Sequence, residues 1–360
     1  MLKEKLKNNE ITQEIKEYLE QKYNIKIKKK LGGGAFGEVY HISTSNNISF
    51  ALKIYKPIKI NENKFQLQEQ KIKDEIRFSL NLKSNNIILG LKSGENQIKN
   101  QKVFVLFMEK ARFIDLNLFI YNYINYNFLA IKNKTNKFQW LYNFSEETIK
   151  FFAYQIIKVF EFLDLNLIVH FDIKPGNLLL GDNFTIKLSD FSVTKQIVNK
   201  HKKATLQTGT YQYMSPEFYN NSKEVLTSNI RTIDYFAFGC ILFSMIARKD
   251  LIKDIKDEEG RKIKANKDNI INFINEGKSV IKNLNYSTEL KQLVSDLINV
   301  EAENRPKISE LVDNKWVNKD YDLIRKIKNI NYNQNLKIFV ELQKAPFCLR
   351  VNRKRKKFNF

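Results

Sequence analysis

The sequence predicts an α+β chain, with antiparallel strands in its front part and helices through most of the rest. Two patterns carry that prediction. Glycines at 32, 33, 34 and 37 lead into a strand-like run at 39–42, and Asn46-Asn47 marks a turn before another at 48–55. Beyond Ser145, apolar residues return at helical spacing as Phe152, Ile156, Val159, Phe160 and Leu163. A third observation gives the chain its centre. The row Val169-His170-Phe171-Asp172-Ile173-Lys174-Pro175-Gly176-Asn177-Leu178-Leu179-Leu180, followed by Ser189-Asp190-Phe191, sets two carboxylates, an amide and an amine between short apolar runs.

At 360 residues the chain can bury a sizeable core in two lobes. Its 61 Lys and Arg against 39 Asp and Glu give +22, which favours anionic partners. The lysines are scattered, so nucleic-acid binding is not supported and a biased surface explains the charge better. Cys240 and Cys348 offer no disulfide framework, and His41, His170 and His201 stand too far apart for a Cys/His zinc site. The opening Met1-Leu2-Lys3-Glu4-Lys5-Leu6 lacks the apolar core of a secretory signal. The most apolar long stretch, 118–130, is broken by Asn122, Asn125 and Asn127 and is too short to span a bilayer. The expectation is a cytoplasmic protein, with the nucleus as the alternative compartment, and no transmembrane segment.

In the central row, a Pro-Gly turn separates Asp172 from Asn177, so their side chains can converge from one loop. Asn177 and Asp190 supply hard oxygens of the kind Mg²⁺ prefers when phosphate completes its shell. Asp172 is left to receive a hydroxyl proton, and Lys174 to neutralise phosphate charge. A lone His-x-Asp is commonly just a hydrogen-bonded loop. The added spacing of Lys174, Asn177 and Asp190 takes this row beyond that. It resembles the catalytic loop of eukaryotic protein kinases of the serine/threonine type, followed by their metal-binding Asp-Phe-Gly turn.

That resemblance implies a bilobal protein-kinase fold: a small antiparallel-sheet lobe with one regulatory helix, then a larger, mostly helical lobe. It covers residues 24–317, split at 109/110, and leaves extensions at 1–23 and 318–360. Ile11, Ile15, Tyr18 and Leu19 recur at helical spacing in the first extension, as in a helix lying against the small lobe.

Leu31-Gly32-Gly33-Gly34-Ala35-Phe36-Gly37 precedes a strand rather than a helix, which argues against a dinucleotide fold, and Glu38 excludes a Walker A loop. Strand, glycine turn, strand resembles the kinase loop over the ATP phosphates, where glycines let the backbone lie close. Phe50-Ala51-Leu52-Lys53 is similar to the family's Val-Ala-Ile-Lys strand, which implies Lys53 on the phosphates. A helix over 64–82 holds two candidates for its ion-pair partner. Measured back from Ser84-Asn85-Asn86-Ile87, Glu75 fits the family spacing and Glu69 does not. Four residues on, Ser79 stands where the family has an apolar residue, which weakens the expected docking of this helix.

The strand 103–109 runs into the expected hinge. The resemblance implies Met108 at the back of an ATP pocket and the backbone of Glu109 to Ala111 on the adenine. Its apolar walls are Leu31, Val39, Ala51 and Leu179, and Gly32, Gly34 and Gly37 form its cover. Residues 115–144 read as a helix and an inserted loop at 132–137. Ser145 can cap a long helix over 146–163, with Glu146 and Glu147 favourable in its first turn.

Later segments extend the resemblance. Ser192 replaces the third glycine of the metal turn, where backbone angles easy for glycine cost serine about 1 kcal/mol or more. Thr210 matches the threonine that links catalytic Asp and Lys in serine/threonine kinases. Asp234 matches a helix-start aspartate that props the catalytic loop, and Arg305 the partner of the glutamate at Glu217. Phe171 replaces the arginine that usually receives an activation-segment phosphate. The basic run 350–357 leaves open an import signal, an anionic-surface contact or a solvated tail. The resemblance thus implies an ATP- and Mg²⁺-dependent kinase acting on Ser or Thr of protein substrates. Its rival is a scaffold that keeps the fold without turnover, for which Ser79, Phe171 and Ser192 speak.

Overall fold

The chain lays down a sheet first and helices after. The computed structural model describes residues 10–59, 66–112, 114–120, 144–197, 203–205, 209–219, 224–226, 229–256, 259, 261–263 and 265–318. The insert at 132–137, Thr208 and the basic run 350–357 lie outside the described residues.

Helix α1 (Gln13–Tyr23) comes first. Thr12 caps it by accepting from the Ile15 amide, and Asn24 ends it in the left-handed region at φ 50°. Six antiparallel strands follow: β1 (Ile25–Gly33), β2 (Gly37–Thr44), β3 (Ser49–Tyr55), β4 (Ile58–Lys59), β5 (Gly90–Ile98) and β6 (Gln101–Met108). β1, β2, β3 and β6 lie side by side, and β6 pairs also with β5 and with the short β4. Helix α2 (Gln66–Asn81) joins β4 to β5.

Side chains alternate across a strand, and β3 uses both faces. Leu52 and Ile54 pack with Ile15 and Leu19 of α1 on the outer face. Tyr55 packs with Ile72 of α2 and Leu106 of β6 on the other. The sequence reading of α1 as a helix against the small lobe therefore matches its packing. Its last residue is keyed into the sheet: the Tyr23 hydroxyl donates to Asn96 Oδ1 at 3.0 Å, and a Cβ on Gly94 would stand 2.0 Å from that hydroxyl. At Ser79, where the docking of α2 is expected to be weaker, the helix lies close against the sheet. Ser79 is 4% exposed, and a Cβ on Gly90 would lie 2.3 Å from its carbonyl oxygen, so α2 and β5 meet backbone to backbone.

The larger lobe is helical. Helix α3 (Glu146–Leu165) starts at Ser145, whose hydroxyl accepts from the Thr148 amide. Glu146 then fastens that end to later segments, accepting from the Ser287 amide at 3.0 Å and the Trp316 indole N–H at 2.5 Å. Helix α4 (Thr232–Ala247) is buried from Thr232 through Ile246, as befits a helix that is apolar all round. Helices α5 (Lys267–Lys282) and α6 (Thr288–Leu297) pack about it. Among the described residues no helix is long and apolar enough to cross a membrane.

If α1 is an integral part of the small lobe, Leu19→Ala will cost about 2–5 kcal/mol, the usual range for emptying a core leucine site. Chemical denaturation measures this directly. A loss well under 1 kcal/mol would mean that α1 is only loosely attached.

Candidate active site

The central row folds as a loop between β7 (Ile168–Val169) and β8 (Leu178–Leu180). Asp234, in the first turn of α4, holds its start. One carboxylate oxygen accepts from the His170 amide at 2.7 Å and the other from the Phe171 amide at 2.9 Å. Burial pushes the Asp234 carboxyl up to about 7, against the pull of those two bonds. Phe171 sits at φ 65°, an expensive conformation for a bulky residue that persists only where its surroundings impose it. Here the imposing contacts are Asp234 and an apolar cluster of Val169, Ile197, Ile230 and Ile233, with Phe218 against it.

The turn that follows brings four side chains together. Asp172 Oδ1 accepts from the Thr210 amide at 2.9 Å and the Thr210 hydroxyl at 2.7 Å. Its Oδ2 accepts from Lys174 Nζ at 2.6 Å and Asn177 Nδ2 at 3.0 Å. Lys174 also donates to the Thr210 hydroxyl at 2.7 Å. Asn177 spends its amide protons on Asp172, including the backbone oxygen at 2.8 Å, which leaves its amide oxygen for another partner. Gly209 must be glycine, since a Cβ would stand 2.4 Å from the Phe171 carbonyl oxygen. His170 is buried, which holds its imidazole toward the neutral form, and its Nδ1 accepts from the Asp172 amide at 3.3 Å.

β8 and β9 (Ile186–Leu188) form a hairpin that carries Asp190 to the same cleft. Across it, Lys53 Nζ lies 2.5 Å from Glu75 Oε1 and 3.1 Å from Asp190 Oδ1. Burial alone would raise the Asp190 carboxyl. The Lys53 ammonium, with hydrogen bonds from Lys53 and Ser192, brings it down to about 2. Glu69, the discarded candidate, pairs instead with Lys73 at 2.7 Å and Lys102 at 3.2 Å.

One sequence expectation is corrected here. Ser192 does not occupy the positive-φ region; Asp190 does, at φ 65°. The backbone demand thus falls two residues earlier than the missing glycine.

Between the lobes, Leu31 is 42% exposed and Val39 half-buried above, with Ala51 buried at 6% beside them. Leu179 is half-buried below, while its neighbours Leu178 and Leu180 are fully buried. Met108 pairs with Ala51 across the sheet. The Glu109 amide donates to the Leu89 carbonyl at 2.9 Å, so what Glu109 can offer a base is its carbonyl. The Glu109 carboxylate accepts from Lys187 at 2.8 Å and from the Leu89 amide at 2.8 Å, which braces the hinge. Ala111 lies half-buried two residues on.

This geometry fits a nucleotide. A Cβ on Gly32 or Gly34 would meet no atom within 4 Å, so both glycines border open space that a polyphosphate can enter. Gly37 differs: its Cβ would strike the Ile54 carbonyl oxygen at 2.4 Å, so that glycine serves the closure of β2 on β3. The donor set also fits Mg²⁺. Among the described residues no group of three or more His, Cys, Asp or Glu could hold a metal. The Asn177 amide oxygen and the Asp190 carboxylate are hard oxygens of the kind Mg²⁺ accepts when water and phosphate complete its shell.

Sequence reasoning missed two features. Backbone pairing joins β11 (Lys203–Thr205) to β12 (Glu224–Leu226), which the intervening sequence does not signal. The packing of Phe171 with Ile197 and Ile230 was also hidden, because those residues are distant along the chain. Arg305 stands where expected, with Nη2 2.7 Å from Glu217 Oε1 in a buried pair.

A model of the protein kinase domain matches residues 25–317. A probable serine/threonine-protein kinase, nek3 of Dictyostelium discoideum, is 26% identical over 313 residues, 85% of this chain and 24% of that protein. The G2-specific protein kinase fin1 of Schizosaccharomyces pombe is 28% identical over 238 residues, 61% of this chain and 30% of its own length. The serine/threonine-protein kinase PKH2 of Saccharomyces cerevisiae reaches 36% identity over 140 residues, 36% of this chain and 12% of PKH2. The chain spans less than a third of the length of these curated relatives. The matched residues include the sheet, the central helices and every side chain gathered in the cleft, and on that extent of match the chain belongs to the protein kinase family.

Proposed function

We propose that this chain is a Mg²⁺-dependent serine/threonine kinase that phosphorylates protein substrates. The observation that carries the reading is the arrangement of Asp172. Both its oxygens are oriented by donors, and the Thr210 hydroxyl bridges it to Lys174. ATP supplies the phosphoryl group, and Mg²⁺ neutralises charge on it. Asp172 orients the substrate hydroxyl and accepts its proton. Lys174 and Lys53 hold phosphate oxygens, Glu75 keeps Lys53 extended into the cleft, and Asn177 and Asp190 are the metal ligands. Leu31, Val39, Ala51 and Leu179 enclose the base, with the Glu109 to Ala111 backbone along its edge and Met108 behind it. A serine or threonine target follows from Thr210 and Lys174 and from the serine/threonine kinases among the relatives.

The scaffold reading rested on three departures, and each has a local accommodation. Gly90 lets β5 meet α2 at the Ser79 carbonyl, Ser192 stays outside the positive-φ region, and Phe171 fills an apolar site. The same Phe171 cluster bears on regulation. An arginine at that position would bind a phosphate by charge-assisted hydrogen bonds. Phe171 has no donor to offer and instead joins the catalytic loop to Ile197 and Phe218 by apolar contact.

Asp172→Ala will abolish transfer from ATP to generic protein substrates while the protein still folds and binds ATP. Label from wild type will appear on phosphoserine or phosphothreonine. Predominant phosphotyrosine, or equal null rates for wild type and variant, would overturn the reading. Phosphatase treatment, or Thr205→Ala with Thr208→Ala, will leave turnover within about tenfold, or ~1.4 kcal/mol in barrier. A larger drop in both would show that the activation segment needs a phosphate despite Phe171. Ser192→Gly will be no more active than wild type and about 0.5–1 kcal/mol less stable by denaturation, because it adds chain entropy and relieves no strain. A gain in stability would mean that Ser192 is strained after all.

A further inference from the structure

Gly33 is the glycine of the turn that the cleft does not explain. Gly32 and Gly34 border open space, and Gly37 serves the closure of β2 on β3. Gly33 does neither, and its backbone stays out of the positive-φ region that favours glycine. What a side chain there would meet is Lys30. A Cβ on Gly33 would stand 3.1 Å from Lys30 Cε and 3.3 Å from Lys30 Nζ. The lysine thus crosses the hairpin over this residue, and its Nζ reaches Glu38 Oε1 at 2.5 Å.

An exposed ion pair contributes little by itself. Here the carboxylate is also held from the buried side, because its Oε2 accepts from the hydroxyl of Tyr40, which is 4% exposed. Glu38 and Tyr40 are two residues apart on β2, so both lie on the outer face of the sheet, away from Val39 and the cleft. Tyr40 packs there with Ile15 and Leu19 of α1, and Lys16 Nζ stands 4.8 Å from its ring centroid. The same helix holds β1. Glu20 Oε1 accepts from the Ile27 amide at 2.5 Å, where the pairing of β1 with β2 shifts register between Ile27 and Lys30. Helix α1 precedes residues 25–317, so it reaches the glycine turn from outside the matched kinase domain.

A run of glycines is costly to order, since glycine loses more conformational freedom than any other residue. Contacts that order it beforehand lower the cost of closing it over a ligand. We propose that Lys30, Glu38 and Tyr40 form a brace on the outer face of the glycine turn, seated by α1, that holds the turn in place over the phosphates of a nucleotide. They are positioning residues, acting through the backbone of 32–37 from the side opposite the cleft. The inference rests on the nucleotide reading of the same site.

The test compares wild type, Lys30→Met, Gly33→Ala, their double variant, Tyr40→Phe and Glu20→Ala. Affinity for ATP and for adenosine, kcat with KM for ATP, and thermal unfolding are measured on each. Gly33→Ala keeps every charge and displaces the lysine, and it is expected to bind ATP about fivefold more weakly, the equivalent of one hydrogen bond. Backbone entropy alone gives the opposite sign, because alanine stiffens the chain and would leave ATP binding equal or tighter. In the Lys30→Met background the alanine should have no further effect, since the side chain it displaces is gone. Tyr40→Phe and Glu20→Ala should weaken ATP to a similar extent. Adenosine, which has no phosphate to cover, should bind every variant as it binds wild type. Unchanged ATP affinity in Gly33→Ala, an equal loss for adenosine, or the same loss with and without Lys30 would each overturn the brace. Unchanged ATP affinity in Glu20→Ala would overturn the part given to α1. If wild type binds ATP but transfers no phosphate, the kinase reading fails alone, and the affinities still decide the brace.

Discussion

A buried carboxylate, Asp234, sets the geometry on which the rest of the cleft depends. It sits on the most buried helix and accepts two consecutive backbone amides of the catalytic loop. Backbone amides fix direction as well as distance, so the loop cannot rotate without losing both bonds in a medium that offers no water in exchange. That constraint makes the positive φ of Phe171 affordable, and the conformation of Phe171 in turn aims Asp172 into the cleft. The base of the cleft, on the helical lobe, is thus held by paired backbone hydrogen bonds.

Its other half is ionic. Lys53 touches Glu75 from its own lobe and Asp190 from the other, and it is the shared cation between two carboxylates. Pairs of this kind respond to whatever enters the cleft, since an incoming phosphate competes for the same ammonium. The two halves thus differ in kind: a base fixed by directional backbone hydrogen bonds, and a triad of charges that share one cation. Asn86 and Ile88 tie the lobes together near this triad by backbone exchange with Leu188, at 2.8 and 2.9 Å.

Among the described residues beyond Asp190, apolar contact and backbone pairing join remote parts of the chain. Phe171, Ile197 and Phe218 meet in one cluster, and β11 pairs with β12. Apolar contact has no off state that a phosphatase could reach.

Much of this was legible in the sequence because it is carried by spacing. The glycine turn, the Lys53 strand, the 169–180 row, Asp190, Thr210, Asp234 and Arg305 are read one segment at a time, and each segment has its own residue types in a fixed order. The choice of Glu75 over Glu69 could be made by counting, since a helix presents one face at regular intervals. What the tertiary structure decided are matters of distance between remote segments. That Gly90 lets β5 meet the backbone of α2 at residue 79, that Phe171 packs with Ile230, and that strain rests on Asp190 rather than Ser192 depend on which segments come within a few ångströms. Local pattern carries no such information, because a residue's neighbours across the core are chosen by the packing of the whole chain.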